Sequence, residues 1–206
     1  MTKTKLNSEQ RDGFFFLGNE VVLDFLNTRP VPDVEPVELL PDFPSLLRWF
    51  QAAGLLSGQE AANLKNKFGE SKRAAKALRT ALALRDQLRK VIIAWEKGAS
   101  VPRSMIDKLD DLMSAYPMKT RLKADSSGIA KELWFDVQEP EDLLAPLAYS
   151  AASLFAEADR IRIRKCGQCV LHFHDTSKKG TRRWCSMQLC GNRLKVAAYA
   201  ARQKAL

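Results

Sequence analysis

Four cysteines close together near the end of the chain constrain its fold more than any other feature of the sequence. They are Cys166, Cys169, Cys185 and Cys190, with the spacing C-x2-C-x15-C-x4-C. This pattern is close to the zinc-binding spacing C-x2-C-x15–20-C-x2-C. The first pair encloses Gly167, and a tight turn of this kind lets two thiolates reach one metal ion. The sequence therefore predicts one structural zinc ion held by four thiolates.

Three other interpretations of the cysteines can be weighed against zinc. Four unrelated buried cysteines are unexpected at this spacing. A redox C-x-x-C motif belongs at a helix N-terminus in a βαβ setting, and the residues around Cys166 predict neither. An iron–sulfur cluster also uses four cysteine ligands. The compact first pair favours zinc, but spacing alone does not exclude iron.

The gap of four residues between Cys185 and Cys190 determines where the last ligand lies. Five steps of about 100° place these positions about 140° apart on a continuous helix, so they cannot share a face there. We expect Cys185 to precede a helical segment and Cys190 to lie on a short turn or near the start of a final helix over 193–200. Residues 170–184 are expected to form a hairpin with Gly180 at its tip. Knuckle, hairpin and helix together make a treble-clef-like zinc finger.

The two histidines of the chain, His172 and His174, lie within this predicted hairpin. Separated by one residue on a strand, they would point the same way. Because four thiolates already complete a tetrahedron, we expect both side chains to be exposed and to have no metal role. Whether either of them contacts the metal is left open by the sequence.

Charge divides the chain at about residue 160. The net charge is +9, from 33 Lys and Arg against 24 Asp and Glu. Residues 1–159 carry 21 basic and 23 acidic residues, whereas residues 160–206 carry 12 basic residues and a single acid, Asp175. This division predicts two modules, a helical domain over 1–159 and a zinc finger over 160–206.

The first module is predicted to be mainly helical with a small sheet, so the whole chain is of the mainly α (α+β) class. Asp42 is a helix N-cap signal, and Ser57 with Glu60 has the pattern of a capping box. Residues 72–96 carry the longest helical pattern, and Pro102 is expected at a first helical position. The other predicted elements are a strand at 14–17, an ambiguous apolar segment at 21–26, a β-hairpin of 121–124 with 132–137, and a helix from Pro140 or Pro146 to about Asp159.

Composition and the ends of the sequence exclude some classes of protein. The chain is 46% hydrophobic and 28% charged, which is typical of a globular protein and not of a disordered one. No run approaches the roughly 20 apolar residues needed to span a bilayer, and no secretory signal is predicted. We therefore expect a cytoplasmic protein without a membrane partner. In a reducing cytoplasm, clustered cysteines are expected to bind metal rather than to form disulfides.

Short motifs around the cysteines make the chain resemble a known family. The segments that include Cys166–Cys169, Phe173–Ser177, Arg182–Met187 and Cys190–Arg193 are similar to the CGNR zinc finger. Leu17-Gly18-Asn19-Glu20 and Leu23-Asp24-Phe25-Leu26-Asn27-Thr28 resemble the ABATE domain, which precedes this finger in many bacterial proteins. Together the two resemblances cover nearly the whole chain. They imply that the four cysteines bind zinc and that the protein is a DNA-binding transcription regulator, a family sometimes described as stress-induced.

Basic residues of the second module are predicted to neutralise DNA phosphates. An alternative is a solvated basic face that serves only solubility. Arg193 also has a second interpretation, in which it pairs with Asp175 or with the negative charge of the zinc–thiolate cluster. The predicted nucleic-acid-binding residues are Lys178, Lys179, Arg182, Arg183, Arg193 and Lys195, and Arg202 and Lys204 lie further along the same predicted helix.

Two other functions are left open by the sequence. The zinc finger is a docking platform for another protein in one of them, and weak salt dependence of DNA binding would favour it. The other is an enzyme with a pocket lined by Asn19, Asp24 and Asn27, although a capping or turn role fits Asp24 and Asn27 better. We expect no enzyme, because residues 1–159 contain no histidine or cysteine and a four-thiolate zinc has no open coordination position. A homodimer and an unidentified small-molecule ligand of residues 1–159 also remain open.

Overall fold

A computed structural model describes residues 9–30, 37–69, 71–125 and 128–191. Over these residues the chain is mainly helical, and its sheets each contain two antiparallel strands, which confirms the predicted fold class. The helices are α1 (Val21–Leu26), α2 (Phe43–Ala52), α3 (Gly58–Phe68), α4 (Lys72–Glu96), α5 (Arg103–Ala115) and α6 (Leu144–Glu157). The strands are β1 (Gln10–Arg11), β2 (Phe14–Phe15), β3 (Lys119–Asp125), β4 (Gly128–Trp134), β5 (Ile163–Lys165) and β6 (His172–His174).

The chain forms two compact units whose boundaries differ from a simple division of the sequence. One unit, which we call the cysteine unit, comprises Met1–Leu39 and Ala158–Leu206. The other, which we call the helical unit, comprises Leu40–Glu157. The start of the second cysteine-unit segment lies close to the predicted boundary at residue 159. Residues 9–27, which we call the N-terminal segment, belong to the cysteine unit and not to the unit of the long helices. The division into two modules by sequence therefore stays a prediction.

Helices α2 and α3 of the helical unit begin at the predicted capping residues. The Asp42 carboxylate accepts a hydrogen bond of 2.7 Å from a backbone N–H in the first turn of α2. Ser57 and Glu60 form a complete capping box at the start of α3. The Ser71 side chain caps α4, whose bounds are the predicted ones. Local sequence is therefore sufficient to place these helix starts.

Two further helix starts refine the predictions. Pro102 is the N-cap of α5 and not its first residue. The last helix of the unit starts at Pro140 as a turn of 3₁₀ helix, and it continues as α6 to Glu157. A capping box at this turn holds its start, which explains why the helix begins before Pro146.

Apolar side chains from α2, α4 and α6 form the core of the helical unit. Trp49 and Phe50 pack edge to face, with ring centroids 5.1 Å apart. Burial of this kind stabilises a fold by about 25 cal/mol for each Å² of apolar surface removed from water. Within the described residues, no helix has both the length and the apolar character needed to cross a membrane. Residues of this core with almost no exposed surface include Leu46, Trp49, Phe50, Leu84, Leu88, Ile92, Leu147 and Ala148.

One predicted β-hairpin is confirmed and the other is wrong. In the helical unit, β3 and β4 pair over their full length. The hairpin predicted over 170–184 does not form: β6 pairs with β5, which precedes the first cysteines, and no strand follows β6 within the described residues. The physical reason lies in the side chain of Asp175, directly after β6. Its carboxylate accepts the backbone N–H groups of Ser177 and Arg182, so the chain curls into a loop and does not return as a strand.

Short elements surround the cysteines in the cysteine unit. The ambiguous segment 21–26 is helix α1, and β1 and β2 form a two-stranded hairpin before it. Leu17, between β2 and α1, lies in one apolar cluster with Phe173 and three of the cysteines. Gly18 is required at the next position, because a Cβ atom there would lie 2.7 Å from Leu23 Cβ. This close approach lets the N-terminal segment fold tightly beside the cysteines.

Candidate metal centre and basic face

The four predicted ligands converge on one point. Their sulfur atoms all lie within 4.8 Å of one another. Cys185 Sγ is 3.6 Å from Cys169 Sγ and 3.6 Å from Cys190 Sγ. Four sulfur atoms at about 2.3 Å from a tetrahedral zinc ion would lie about 3.8 Å apart. The cluster thus has the ligand type, number and spacing of a structural zinc site.

Two short turns bring these ligands together. Cys166 directly follows β5, and its N–H donates at 2.9 Å to a backbone carbonyl across the knuckle that carries Cys169. Cys185 precedes a π-helical turn, Met187–Gly191, which carries Cys190. The prediction that the last ligand lies on a short turn after Cys185 is therefore confirmed.

Cys169, Cys185 and Cys190 differ strongly in the acidity of their thiols. The hydrogen bond from Cys185 lowers the pKa of Cys169 to about 5. The same contact, together with burial, raises the pKa of Cys185, and burial raises the pKa of Cys190 to about 12. A divalent cation among the sulfur atoms would offset their mutual repulsion and favour the ionised form of all four. The donor set therefore fits zinc by its chemistry as well as by its geometry.

Trp184 covers the turns that hold the ligands. A Cβ atom at Gly167 would lie 3.1 Å from the Trp184 ring, and one at Gly191 would lie 3.4 Å from it. The guanidinium carbon of Arg183 lies 5.2 Å from the centroid of the same ring. Trp184 is half-buried against the cluster of cysteines. The indole thus packs the small core of the site and shields it from water.

The expectation that both histidines are exposed is wrong, most strongly for His172. That residue is 2% exposed, whereas the His174 side chain is 17% exposed and its Nδ1 lies 3.0 Å from Glu20 Oε1. The physical reason is that the N-terminal segment packs against the outer edge of β6. Both histidines therefore lie at a contact within the cysteine unit and not on a solvated strand.

Arg162 and Arg164 hold the loop that follows β6. Arg162 Nη1 donates to the carbonyls of Asp175 and Ser177 at 3.1 and 2.8 Å. Arg164 Nη2 donates to the carbonyl of Gly180 at 2.7 Å. Because both guanidinium groups bind backbone carbonyls, these arginines shape the loop.

Asp175 and Arg182 close the same loop. The Asp175 carboxylate accepts the N–H of Ser177 at 3.0 Å and the N–H of Arg182 at 2.7 Å. Burial alone would raise the pKa of Asp175, but these hydrogen bonds outweigh it and hold the pKa below its usual value. The Arg182 guanidinium donates to the Cys185 carbonyl and lies 5.1 Å from the Phe173 ring centroid. The Arg182 side chain therefore stabilises the loop and does not belong to its exposed surface.

The other predicted nucleic-acid-binding residues fall into two groups. Lys178, Lys179 and Arg183 are exposed on the loop held by these contacts, and we call these three residues the basic face. Arg193 and Lys195 lie outside the described residues, as does the predicted final helix. The described part of the candidate interface is therefore three cations on a loop that is tied to the metal ligands.

The polar residues of the N-terminal motif make their hydrogen bonds within the cysteine unit. The structure shows that Asn19 and Asn27 hydrogen-bond through their side chains to the backbone of β6. Asp24 Oδ1 accepts the Gly18 N–H at 2.7 Å, and burial raises the pKa of Asp24 to about 7. The Asp24 contact agrees with the predicted turn role, whereas the side chain of Asn27 bonds to a strand 145 positions away and has no local capping role. The only signal for them in the sequence is the resemblance of this segment to the domain that precedes the finger.

Comparison with known protein families agrees with this geometry. The family profile described as "ABATE: putative stress-induced transcription regulator" matches residues 19–158, which is more than half of the chain. The profile of the CGNR zinc finger matches residues 162–203. No curated protein sequence matches the chain. The chain therefore belongs to the ABATE family, and it ends in a CGNR zinc finger whose four cysteines fit one structural zinc ion.

Proposed function

We propose that this protein regulates transcription by binding DNA through the basic face, with zinc as a structural cofactor. The observation that carries the proposal is the separation of roles among the basic residues. Arg162 and Arg164 fix the loop from inside, Lys178 and Lys179 extend from it into solvent, and Arg183 is exposed with its guanidinium beside the Trp184 ring. A loop that is already ordered loses little conformational freedom on binding. Its cations can then neutralise phosphates at fixed positions.

Neutralisation of the basic face tests this proposal directly. The triple variant Lys178→Gln, Lys179→Gln, Arg183→Gln should bind duplex DNA at least about tenfold more weakly at low salt. Its plot of log affinity against log salt should be less steep by about two to three units, because up to three phosphate contacts are lost. The measurement is fluorescence anisotropy with the zinc-loaded full chain over a range of salt concentrations.

A matched control variant separates local contacts from net charge. Lys72, Lys76 and Arg79 are exposed on α4, and their replacement by Gln removes the same three charges from the helical unit. This control should keep the salt dependence of the unchanged protein. Equal losses in the two triple variants would show that only net charge matters. Absence of duplex binding at low salt would favour a protein-docking role for the zinc finger.

We further propose that the protein is not an enzyme and that the helical unit supplies a regulatory input. Four cysteine ligands would fill the coordination sphere of the zinc ion, so it would act as a structural ion. The helical unit has its own apolar core and an open cavity of about 360 Å³, near the lower end of the range for small-molecule sites. Sedimentation equilibrium over a range of concentrations tests the two forms of input. A dimer would support a dimerising role, and a monomer throughout would leave ligand binding as the proposal.

A further inference from the structure

The outer edge of β6 is completed by side chains and backbone from the N-terminal segment. The N–H of His172 donates to Asn27 Oδ1 at 2.9 Å, and Asn27 Nδ2 donates to the His172 carbonyl at 2.9 Å. The N–H of His174 donates to the Gly18 carbonyl at 2.8 Å. Asn19 Nδ2 donates to the His174 carbonyl at 2.8 Å. All four outward-facing backbone groups of these two strand residues are therefore satisfied by residues 18–27.

The side chain of Asn27 makes the two hydrogen bonds to His172 that a third strand would make at this position. A carboxamide offers one donor and one acceptor in the same plane, which is also what a neighbouring strand offers at a paired position. Asn27 and His172 are each 2% exposed. A buried N–H or carbonyl that loses its partner destabilises the fold by more than an exposed one does. Loss of the two hydrogen bonds at Asn27 should therefore destabilise the fold more than loss of either of the other two.

The backbone of β6 is continuous with the turn that carries the first two ligands. On its other edge, β6 pairs with β5, and Cys166 and Cys169 lie in the connection between the two strands. Leu17 packs in the same apolar cluster as Cys166, Cys185 and Cys190. Displacement of β6 would therefore move the knuckle relative to the other two sulfur atoms.

A separate contact reaches the turn that carries the last ligand. Ser186 Oγ donates to Glu9 Oε2 at 2.5 Å. The same oxygen accepts the N–H of Gln188 at 3.1 Å, and the Ser186 carbonyl accepts the N–H of Cys190 at 3.1 Å. Glu9 thus orients the serine that starts this turn. The N-terminal segment contacts the chain next to both pairs of ligands.

We infer that residues 9–27 are part of the zinc-binding module and that Asn27 is a positioning residue for the metal ligands. The family profiles divide the chain so that Asn27 and the cysteines fall in different domains. In the folded protein they form one site. The metal affinity of the cysteines therefore depends on a residue about 140 positions earlier in the chain.

Zinc affinity of the full chain tests this inference without any use of DNA. Asn27→Ala removes both hydrogen bonds to His172 and should weaken zinc binding about tenfold, which is the low end of the effect of residues that orient metal ligands indirectly. Asn63→Ala, on the exposed side of α3, is the matched control and should leave the affinity unchanged. The measurement is competition with a chromophoric chelator at neutral pH.

A second variant and a spectrum distinguish positioning from unfolding. Asn19 has a left-handed backbone, with φ of 60°, so Asn19→Gly keeps this conformation and removes only the amide donor. It should weaken zinc binding about two- to threefold. The spectrum of the Co²⁺-loaded variants should keep the bands of a tetrahedral four-thiolate site, because the ligands themselves are unchanged.

The order of zinc affinity among the three variants decides whether Asn27 positions the metal ligands. Zinc binding that is weakest in Asn27→Ala, intermediate in Asn19→Gly and unchanged in Asn63→Ala, with the helix content by circular dichroism unchanged, supports the inference. Zinc affinities for Asn27→Ala and Asn19→Gly equal to the Asn63→Ala value within the error of replicate titrations would overturn it. If Asn27→Ala does not fold, the comparison of Asn19→Gly with Asn63→Ala gives the answer. A failure of DNA binding would leave these results unaffected.

Discussion

The helical unit and the cysteine unit differ in how far apart in the sequence their stabilising contacts lie. In the helical unit, the Ser57 side chain and Glu60 cap a helix from three residues apart, and long helices bury apolar faces such as that of Leu88. In the cysteine unit, Asn27 binds His172 over 145 positions of the chain. A unit of the first kind forms helices from local signals and gains stability from apolar area. A unit of the second kind depends on a few distant polar contacts and on a metal.

Metal removal should have the largest effect and should fall on one unit. Binding of a structural zinc ion contributes roughly 10–16 kcal/mol in small zinc-finger peptides at neutral pH. Cys185→Ser removes the sulfur atom that lies 3.6 Å from those of both Cys169 and Cys190. This change should abolish stoichiometric zinc binding. Hydrogen exchange should then become fast at the amides of Cys166 and Asp175, which bond across the β5–β6 pair. The amides of α4 should stay protected.

Elemental analysis of the unchanged protein completes this experiment. One zinc per chain is expected from the four converging sulfur atoms. Iron with visible charge-transfer absorption would show that the four cysteines hold iron and not zinc. Protection of the β5–β6 amides in the metal-free protein would show that the cysteine unit does not need its metal.

Predictability from sequence follows the same division. Asp42 and Ser57 identify helix starts because the groups they bind lie within three residues. The ligand set is identifiable because zinc imposes a spacing on cysteines. The burial of His172 was not predictable, since it depends on Asn27 from the other end of the chain. The sequence also does not predict the loop after β6. There the buried carboxylate of Asp175 accepts backbone N–H groups of the following residues, so the second strand of the predicted hairpin does not form.

A cavity in the core should have the next largest effect and should fall on the other unit. Leu88 on α4 has no exposed surface, and Leu88→Ala should lower the free energy of unfolding of the helical unit by about 2–5 kcal/mol. Zinc content and zinc affinity should be unchanged. The measurement is urea unfolding followed by the far-ultraviolet signal of the helices, with zinc release recorded in parallel.

The matched control for this variant is Leu122→Ala on β3. Leu122 is 75% exposed, so the same deletion there should have little effect on stability. Zinc release from Leu88→Ala at urea concentrations where its helices are intact would contradict the separate origins of stability in the two units.

Asp24 gives the cysteine unit a pH dependence of its own. Burial raises the pKa of Asp24 to about 7, against opposing contributions from Gly18, Leu17 and Arg11 and a reinforcing one from Glu20. Between about pH 4 and 7 the unfolded chain loses this proton and the folded chain keeps it. The contribution of this group to stability is therefore complete below about pH 4 and is lost as the pH rises to 7.

The variant Asp24→Asn removes this titration and keeps an oxygen that can accept the Gly18 N–H. The free energy of unfolding of Asp24→Asn minus that of the unchanged protein should increase by about 2 kcal/mol between pH 5 and 8. This estimate is lower than about 1.4 kcal/mol for each pH unit between 5 and 7 would give, because the Asp24 side chain retains some solvent contact. The difference between the two proteins cancels the effect of acid on the metal site. A difference that does not change with pH would contradict the assignment.

Loss of a single helix cap should have the smallest effect and gives the sharpest contrast with Asn27. Ser57→Ala removes one side-chain acceptor at the start of α3, and such changes lower stability by about 1 kcal/mol. Ser114→Ala, at an exposed position inside α5, is the control and should cause no loss, because alanine is the better helix former there. Thermal unfolding measures both, and zinc affinity should be the same in both. Since Ser57 and Asn27 each bind the backbone through one polar side chain, a loss of zinc affinity in Ser57→Ala as large as in Asn27→Ala would mean that any lost backbone contact disturbs the metal. The distinction between local and distant contacts would then have no consequence for the site.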